Sequence, residues 1–368
     1  MLTPGDPAPW FVTKSSVNPK FHFDTVAGRY VILSFFGSST SPAAQRLLKE
    51  VHANQRLFDV TNLLFCGVSN DPSDESRLAA SPIYAGILMF ADFGNTIARG
   101  YGLLDTNVSP ARFHPTTFVL DEGLRVLAVV PLSGDGVGHI ETIANILRQL
   151  PPLQQSPRIA PVLVLDRVFE PELCRRLVGI YEASGGQESG FMRDIDGKTT
   201  GIVDYSFKRR ADCEITDQGL IRELHLRING RIVPEIRKAF NFHVTRIERH
   251  IVACYDAAAG GHFRPHRDNT SLGTAHRRFA VSINLNAESF EGGYLRFPEF
   301  GPRLYRPSTG GAVVFGCSLL HEATPVTKGK RYAFLPFLYD DAAAAIREQN
   351  KQHLSAEFIN LNREPDGA

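Results

Sequence analysis

The chain has 368 residues, enough at roughly 150 residues per domain for two domains that each bury a core. Hydrophobic residues make up 43% and charged residues 21%, which excludes a disordered or fibrous chain. Lys and Arg number 40 against 39 Asp and Glu, so the formal charge of +1 provides no field to draw the protein to nucleic acid or an anionic membrane.

The opening MLTPGDPAPW lacks the basic and apolar regions of a secretory signal, and no run of about 18 apolar residues could span a membrane. YVILSFF (30–36) is a β-rich run, and SPAAQRLLKEVHANQRLF (41–58) carries apolar residues at helical spacing. NLLFCGVS (62–69) is a second apolar run bounded by turn residues, and a helical stretch follows near 74–80. TTFVLD (116–121) and RVLAVVP (125–131) stand at hairpin spacing, and HIETIANILRQL (139–150) closes with a helix. Strands alternating with helices predict an α/β layer fold for residues 1–150. PPLQQSPRIAP (151–161) has four prolines and no hydrophobic periodicity, and reads as a linker.

Beyond it, FEPELCRRLVGIYEAS (169–184) is helical with Pro171 in the first turn. KRR at 208–210 is a candidate basic patch, with a solvated strand end as the plainer reading. GLIRELHLRINGRIVPEIRKAF (219–240) is a second helical region. From 246 to 339 short β-rich runs separated by Gly or Pro (HIVACY, FAVSINLN, GGYLRF, GAVVFG, RYAFLPFLY) predict a sandwich or barrel flanked by helices. The tail 341–368 reads as one helix that then frays. Cys66, Cys174, Cys213, Cys254 and Cys317 are scattered singly, which argues against a disulfide framework or structural zinc and fits a reducing cytoplasm.

The chemistry concentrates in FRPHRDN. On an extended strand His266 and Asp268 point to one face, aiming an imidazole and a carboxylate at one point. A third ligand would complete a facial triad, with open positions suited to non-haem iron(II). Spacing alone is weak, because His22 with Asp24 and His139 with Glu141 share it. Context separates 266–268. IVACYDAAAGGHFRPHRDN, INLN, GGYLRF, GAVVF and LLHEATPVTKGKRYAF, in that order, resemble the prolyl-4-hydroxylase-type iron(II)/2-oxoglutarate oxygenases, a double-stranded β-helix (jelly roll) family. The resemblance runs from about 162 to 339.

That resemblance implies the triad His266, Asp268 and His321, with Arg331 anchoring 2-oxoglutarate and Tyr255 lining its pocket; Asn284 and Arg278 are lesser candidates. Independently, Arg331 shares a strand face with Ala333, Leu335 and Phe337, where a guanidinium needs an anionic partner, and Lys330 points the other way. The resemblance also implies Fe(2+), 2-oxoglutarate and O2 as cofactors, ascorbate as an accessory reductant, and hydroxylation of a C–H bond. Related halogenases have a small residue where this chain has Asp268. The expected substrate is a peptidyl residue. A free amino acid or small metabolite is the first alternative, and a non-catalytic jelly-roll binding module the second. A nucleic-acid demethylase is disfavoured by neutral charge and by Phe337 standing six residues beyond Arg331.

TPGDPAPWF, YVILSFFGSSTSPAA, CGVSND and HPTTFVLDEGLRVLAVV resemble the peroxiredoxin group of the thioredoxin fold, over about 3–150. Pro115 occupies the position of that fold's cis-proline. Family peroxidases place a cysteine three residues after the threonine, but here Thr40 is followed by Ala43, so no attacking thiolate can form. Cys66, on a predicted buried strand, reads as structural. A thioredoxin-like module without its nucleophile is expected to bind a partner or support homodimerisation. The organisation is therefore 1–150 peroxiredoxin-like, 151–161 linker, 162–340 oxygenase and 341–368 helical tail.

Overall fold

The computed structural model describes residues 1–80, 85–153 and 158–355; the middle of the linker and the end of the tail lie outside the described residues. Two compact units are present: Met1–Ile159 with Pro298–Pro302, and Ala160–Phe297 with the chain from Arg303 onward.

The N-terminal unit is thioredoxin-like. Its five-stranded sheet runs Ile87–Ala91, Leu63–Ser69, Tyr30–Gly37, Thr116–Leu120, Val126–Pro131, with the first three strands parallel and the last two antiparallel. The central strands read as unbroken apolar runs because both faces are covered. Leu47 and Val51 of helix Pro42–Ala53 and Ile143 of helix His139–Arg148 pack on Ile32, Phe65 and Val119. One expectation fails: the cis peptide bond is Ser109–Pro110, not His114–Pro115. Pro115 continues directly into strand Thr116–Leu120, and its carbonyl accepts from Leu132 N–H at 2.9 Å.

The C-terminal unit is a jelly roll. Its larger sheet runs Val162–Leu165, Ala312–Gly316, Phe279–Asn284, Val326–Phe334, Ile251–Asp256, Ala211–Glu214, Gln187–Glu188. The smaller runs Lys208–Arg209, His262–His266, His321–Ala323, Leu295–Arg296, Leu304–Tyr305. Alternate residues of the large sheet serve two cores. Val252, Cys254, Tyr332 and Phe334 face helices Pro171–Ser184 and Gln218–Arg231, whereas Ala253 and Tyr255 face the interior with Phe263, Phe290 and Ala323. Burial on both faces explains why IVACY lacks strand alternation.

The single helical region expected at 219–240 is two helices, Gln218–Arg231 and Val233–Phe240. Leu220, Leu224 and Ile228 form the buried stripe of the first, and Asp217 caps it by accepting from Leu220 N–H at 2.6 Å. Pro234, which has no N–H to continue the first helix, sits in the opening turn of the second. The tail begins with helix Asp341–Asn350.

Candidate metal centre and cosubstrate anchor

His266 ends strand His262–His266, and His321 opens the neighbouring strand directly opposite it in register. Asp268 lies just past the strand, in a turn held by its N–H donating to the Cys317 carbonyl at 2.9 Å. One ligand atom from each of the three falls within 4.8 Å of the others, the one such grouping of three among the described residues. Asp268 Oδ1 is 3.6 Å from His266 Nε2, and Oδ2 is 3.4 Å from His321 Nε2. The look-alike pairs His22/Asp24 and His139/Glu141 gather no third ligand among the described residues. His139 instead hydrogen-bonds Thr117 Oγ1 through Nε2 at 2.8 Å, as a core histidine.

Each ligand imidazole is oriented by its own backbone. His266 Nδ1–H donates to the Arg264 carbonyl at 2.8 Å, and His321 Nδ1–H donates to the Leu319 carbonyl at 3.0 Å. Both Nε2 lone pairs are thereby left for a metal. Phe263 stacks on His266 with ring centroids 3.5 Å apart, and Phe315 packs on His321 at 4.5 Å. Burial, reinforced by His266, pushes His321 down to about 4, so it is neutral and able to ligate at physiological pH. Burial alone would raise the Asp268 carboxyl, but His321, His266 and Arg277 outweigh it and hold the group ionised. Two imidazoles and a carboxylate fit iron(II) with positions open for other ligands.

Arg331 is 3% exposed. Its Nη2 donates to Ser282 Oγ at 2.8 Å and its Nε to Asn284 Oδ1 at 3.3 Å. Asn284 is held in turn by donating to the Pro307 carbonyl at 2.8 Å. Tyr255, opposite Arg331 in register, lies under the guanidinium at 5.2 Å from ring centroid to Cζ. No carboxylate pairs with Arg331 among the described residues, and burial with the like charges of Arg210 and Arg306 depresses its pKa. A buried cation in that position calls for an anion, and a terminal carboxylate of 2-oxoglutarate has the matching fork. Lys330 points outward, to Glu182 at 3.5 Å. Arg278 does not join this group; its Nη1 donates to the Ala275 carbonyl at 3.0 Å.

The solvated-strand-end reading of residues 208–210 is overturned. Lys208 is 5% and Arg210 9% exposed, and only Arg209 faces solvent. The segment crosses from the small sheet to the large one, so alternate side chains turn inward. Ser282 and Asp212 also escaped the sequence reading, although Asp212, two beyond Arg210 on an extended segment, carried a same-face signal.

A family model described as the 2OG-Fe(II) oxygenase superfamily matches residues 250–339, which contain all three ligands and Arg331. The C-terminal unit is a 2-oxoglutarate-dependent dioxygenase domain. A second model, the AhpC/TSA family, matches residues 4–129, so the dioxygenase is fused to a peroxiredoxin-like domain. A procollagen lysyl hydroxylase and glycosyltransferase of Acanthamoeba polyphaga mimivirus is 22% identical over 174 residues, 46% of this chain, which spans only 18% of that relative's length. A prolyl hydroxylase from Trichoplax adhaerens, solved with a hypoxia inducible factor peptide fragment, superposes with TM-score 0.38 at 16% identity, covering 57% of this chain and 96% of that one. Peroxiredoxin Q of Xanthomonas campestris gives TM-score 0.31 at 16% identity over 37% of this chain and 88% of that one.

In the peroxiredoxin-like domain, Ser41 caps helix Pro42–Ala53 and Ala43 occupies the second helical position. Cys66 is fully buried in the central sheet, where burial pushes its thiol far up. No helix among the described residues is long and apolar enough to cross a membrane.

Proposed function

We propose that the dioxygenase domain hydroxylates a C–H bond of a peptidyl residue, with His266, Asp268 and His321 as iron ligands and Arg331 as the 2-oxoglutarate anchor. The observation that carries this reading is the buried, carboxylate-free Arg331 on the interior face it shares with the triad's surroundings, through Tyr255, Phe263 and Ala323. When bound, iron(II) and 2-oxoglutarate supply reductive activation of O2, with 2-oxoglutarate oxidised to succinate and carbon dioxide and a C–H bond converted to C–OH. Arg331, steadied by Ser282 and Asn284, would hold the distal carboxylate and fix the cosubstrate's register. The backbone carbonyls of Arg264 and Leu319 keep each ligand imidazole in one tautomer. Phe263, Phe297 and Phe315 wall the histidines with apolar rings that exclude water.

A peptide substrate is favoured by a neighbour solved with a peptide fragment and by a relative named as a procollagen lysyl hydroxylase. The peroxiredoxin-like domain serves partner binding or homodimerisation in this reading, ascorbate sustains turnover, the domain boundary lies within 151–161, and the protein works in the cytoplasm. The test is succinate release with mass detection of a 16-dalton gain across candidate peptides and free amino acids, with and without ascorbate. His266→Ala, Asp268→Ala and His321→Ala should each abolish turnover and iron binding while leaving the circular-dichroism spectrum intact. Full turnover in any of the three would remove that residue from the triad.

A further inference from the structure

The dioxygenase domain contains a second cationic group, linked to Arg331 through Tyr255, whose hydroxyl accepts from Arg210 Nη1 at 3.5 Å and whose ring lies against both guanidiniums. Arg210 Nη2 and Arg249 Nη2 both donate to Asp212 Oδ2, at 2.6 and 3.1 Å. The other Asp212 oxygen and Arg210 Nε are buried without a hydrogen-bond partner. Lys208 adds a third basic side chain, its Nζ donating to Ser189 Oγ at 2.8 Å and to the Gly190 carbonyl. One carboxylate thus pairs with two guanidiniums, with the Lys208 amine held nearby by neutral acceptors. Burial and the neighbouring Arg210 push Lys208 toward its uncharged form, yet Arg210 and Arg249 against Asp212 still leave one positive charge uncompensated.

The excess charge borders the metal centre. Lys208 Nζ lies 5.0 Å from the centre of the Phe263 ring that stacks on His266. Arg249 is the reachable member, its side chain 26% exposed against 4% for Arg210. Its backbone sits at φ 70, the left-handed region that favours glycine, so the chain holds a strained arginine there. Burial and Arg210 also push its guanidinium down to about 10, the mark of a cation short of counter-charge.

We propose that Arg249, backed by Arg210 and Lys208, docks an anionic group of the substrate that is hydroxylated, in the simplest case a carboxylate. This rests on the dioxygenase reading above and narrows its substrate class. The carboxylate could belong to a free amino acid or to an acidic side chain of a peptide.

The test uses the full chain with iron(II) and 2-oxoglutarate and matched pairs of probes: free L-amino acids against their amides, and acetylated, amidated peptides carrying Asp against the same peptides carrying Asn. The anionic member should be hydroxylated at least about tenfold more efficiently, a preference that collapses in Arg249→Gln and returns in part in Arg249→Lys. Preference among the free amino acids identifies a small carboxylate, and preference for Asp over Asn an acidic peptide. Equal use of neutral and anionic members, or an unaltered preference in Arg249→Gln, overturns the proposal. If no probe is hydroxylated, the melting temperature without substrate decides. Arg249→Gln should melt higher than wild type, because it removes an under-compensated charge and keeps the backbone strain constant. A lower melting temperature makes Arg249 a structural partner of Asp212 and ends the proposal. Failure of the wild type to bind iron or turn over 2-oxoglutarate would sink the dioxygenase reading instead, a result independent of the melting comparison.

Discussion

Replacing Arg331 with Met separates its cosubstrate role from a structural one, because the two readouts move differently. In the cosubstrate-free protein two effects oppose each other. Met relieves the cost of burying a cation with no carboxylate, but it deprives Asn284 Oδ1 and Ser282 Oγ of a donor. An unsatisfied buried acceptor costs about 1–3 kcal/mol, and removing the buried charge returns a similar amount, so the net change should stay within about 2 kcal/mol. Cosubstrate binding has no such compensation. Loss of a desolvated charge pair costs about 2–5 kcal/mol, so the dissociation constant of 2-oxoglutarate should rise roughly 30-fold or more. In a thermal melt with manganese(II) standing in for iron, 2-oxoglutarate at about 100 times the wild-type dissociation constant stabilises the wild type by about 2.7 kcal/mol and the variant by only about 0.9 kcal/mol. For a domain of this size that difference is about 4–7 °C of melting temperature. An identical 2-oxoglutarate-induced shift in the two proteins would refute the anchor. A collapse of the cosubstrate-free melt by far more than about 2 kcal/mol would refute the balance drawn for the buried guanidinium.

His321 makes the metal-free protein pH-sensitive. An unfolded imidazole titrates near 6.5 and the folded one near 4, so the unfolded chain takes up the proton first and stability falls as pH drops through that window. The loss should total about 3 kcal/mol in chelator and shrink in His321→Gln, whereas a flat profile between those pH values in the wild type would contradict it. The five buried cysteines should resist a thiol reagent in the folded protein and all react after denaturation, and residues 1–150 should consume no peroxide with a thiol reductant; thiol-dependent peroxide turnover would contradict the loss of the nucleophile at Ala43. A fragment beginning at Ala160 should still bind iron but lose solubility, assembly or activity on the true substrate; unaltered behaviour in all three would leave the peroxiredoxin-like domain without the proposed role.

The grouping of His266, Asp268 and His321 at one point was legible in the sequence. The two-residue spacing of His266 and Asp268 became informative only within the ordered series of motifs that resemble the family, which also supplied His321, and the structure puts Asp268 in the turn just past the strand. The elements carrying long apolar runs or strong helical stripes, such as Tyr30–Gly37 and Pro171–Ser184, were legible from local pattern. Side-chain burial in the crossover between sheets was not. Lys208 and Arg210 read as solvent-facing because basic residues in a polar stretch normally are, and only the long-range pairing of Lys208 with Phe263 turns them inward. Ser282 beside Arg331 depends on contact between two strands whose cross-strand neighbours no local pattern specifies.

The backbone bonds that steady His266 and His321, the proposed ligands, have a consequence for how such a protein can change. Each imidazole is held by the carbonyl two residues earlier in the chain, so neither relies on a distant side chain to present its lone pair. The neighbouring side chains are thereby released from that duty. Under the proposed function, side chains such as Lys208 and Arg249 can be exchanged to suit a different molecule while the two imidazoles keep their aim. In this architecture recognition and reactivity are inherited separately, and a new specificity can be selected without rebuilding the centre that does the oxidation.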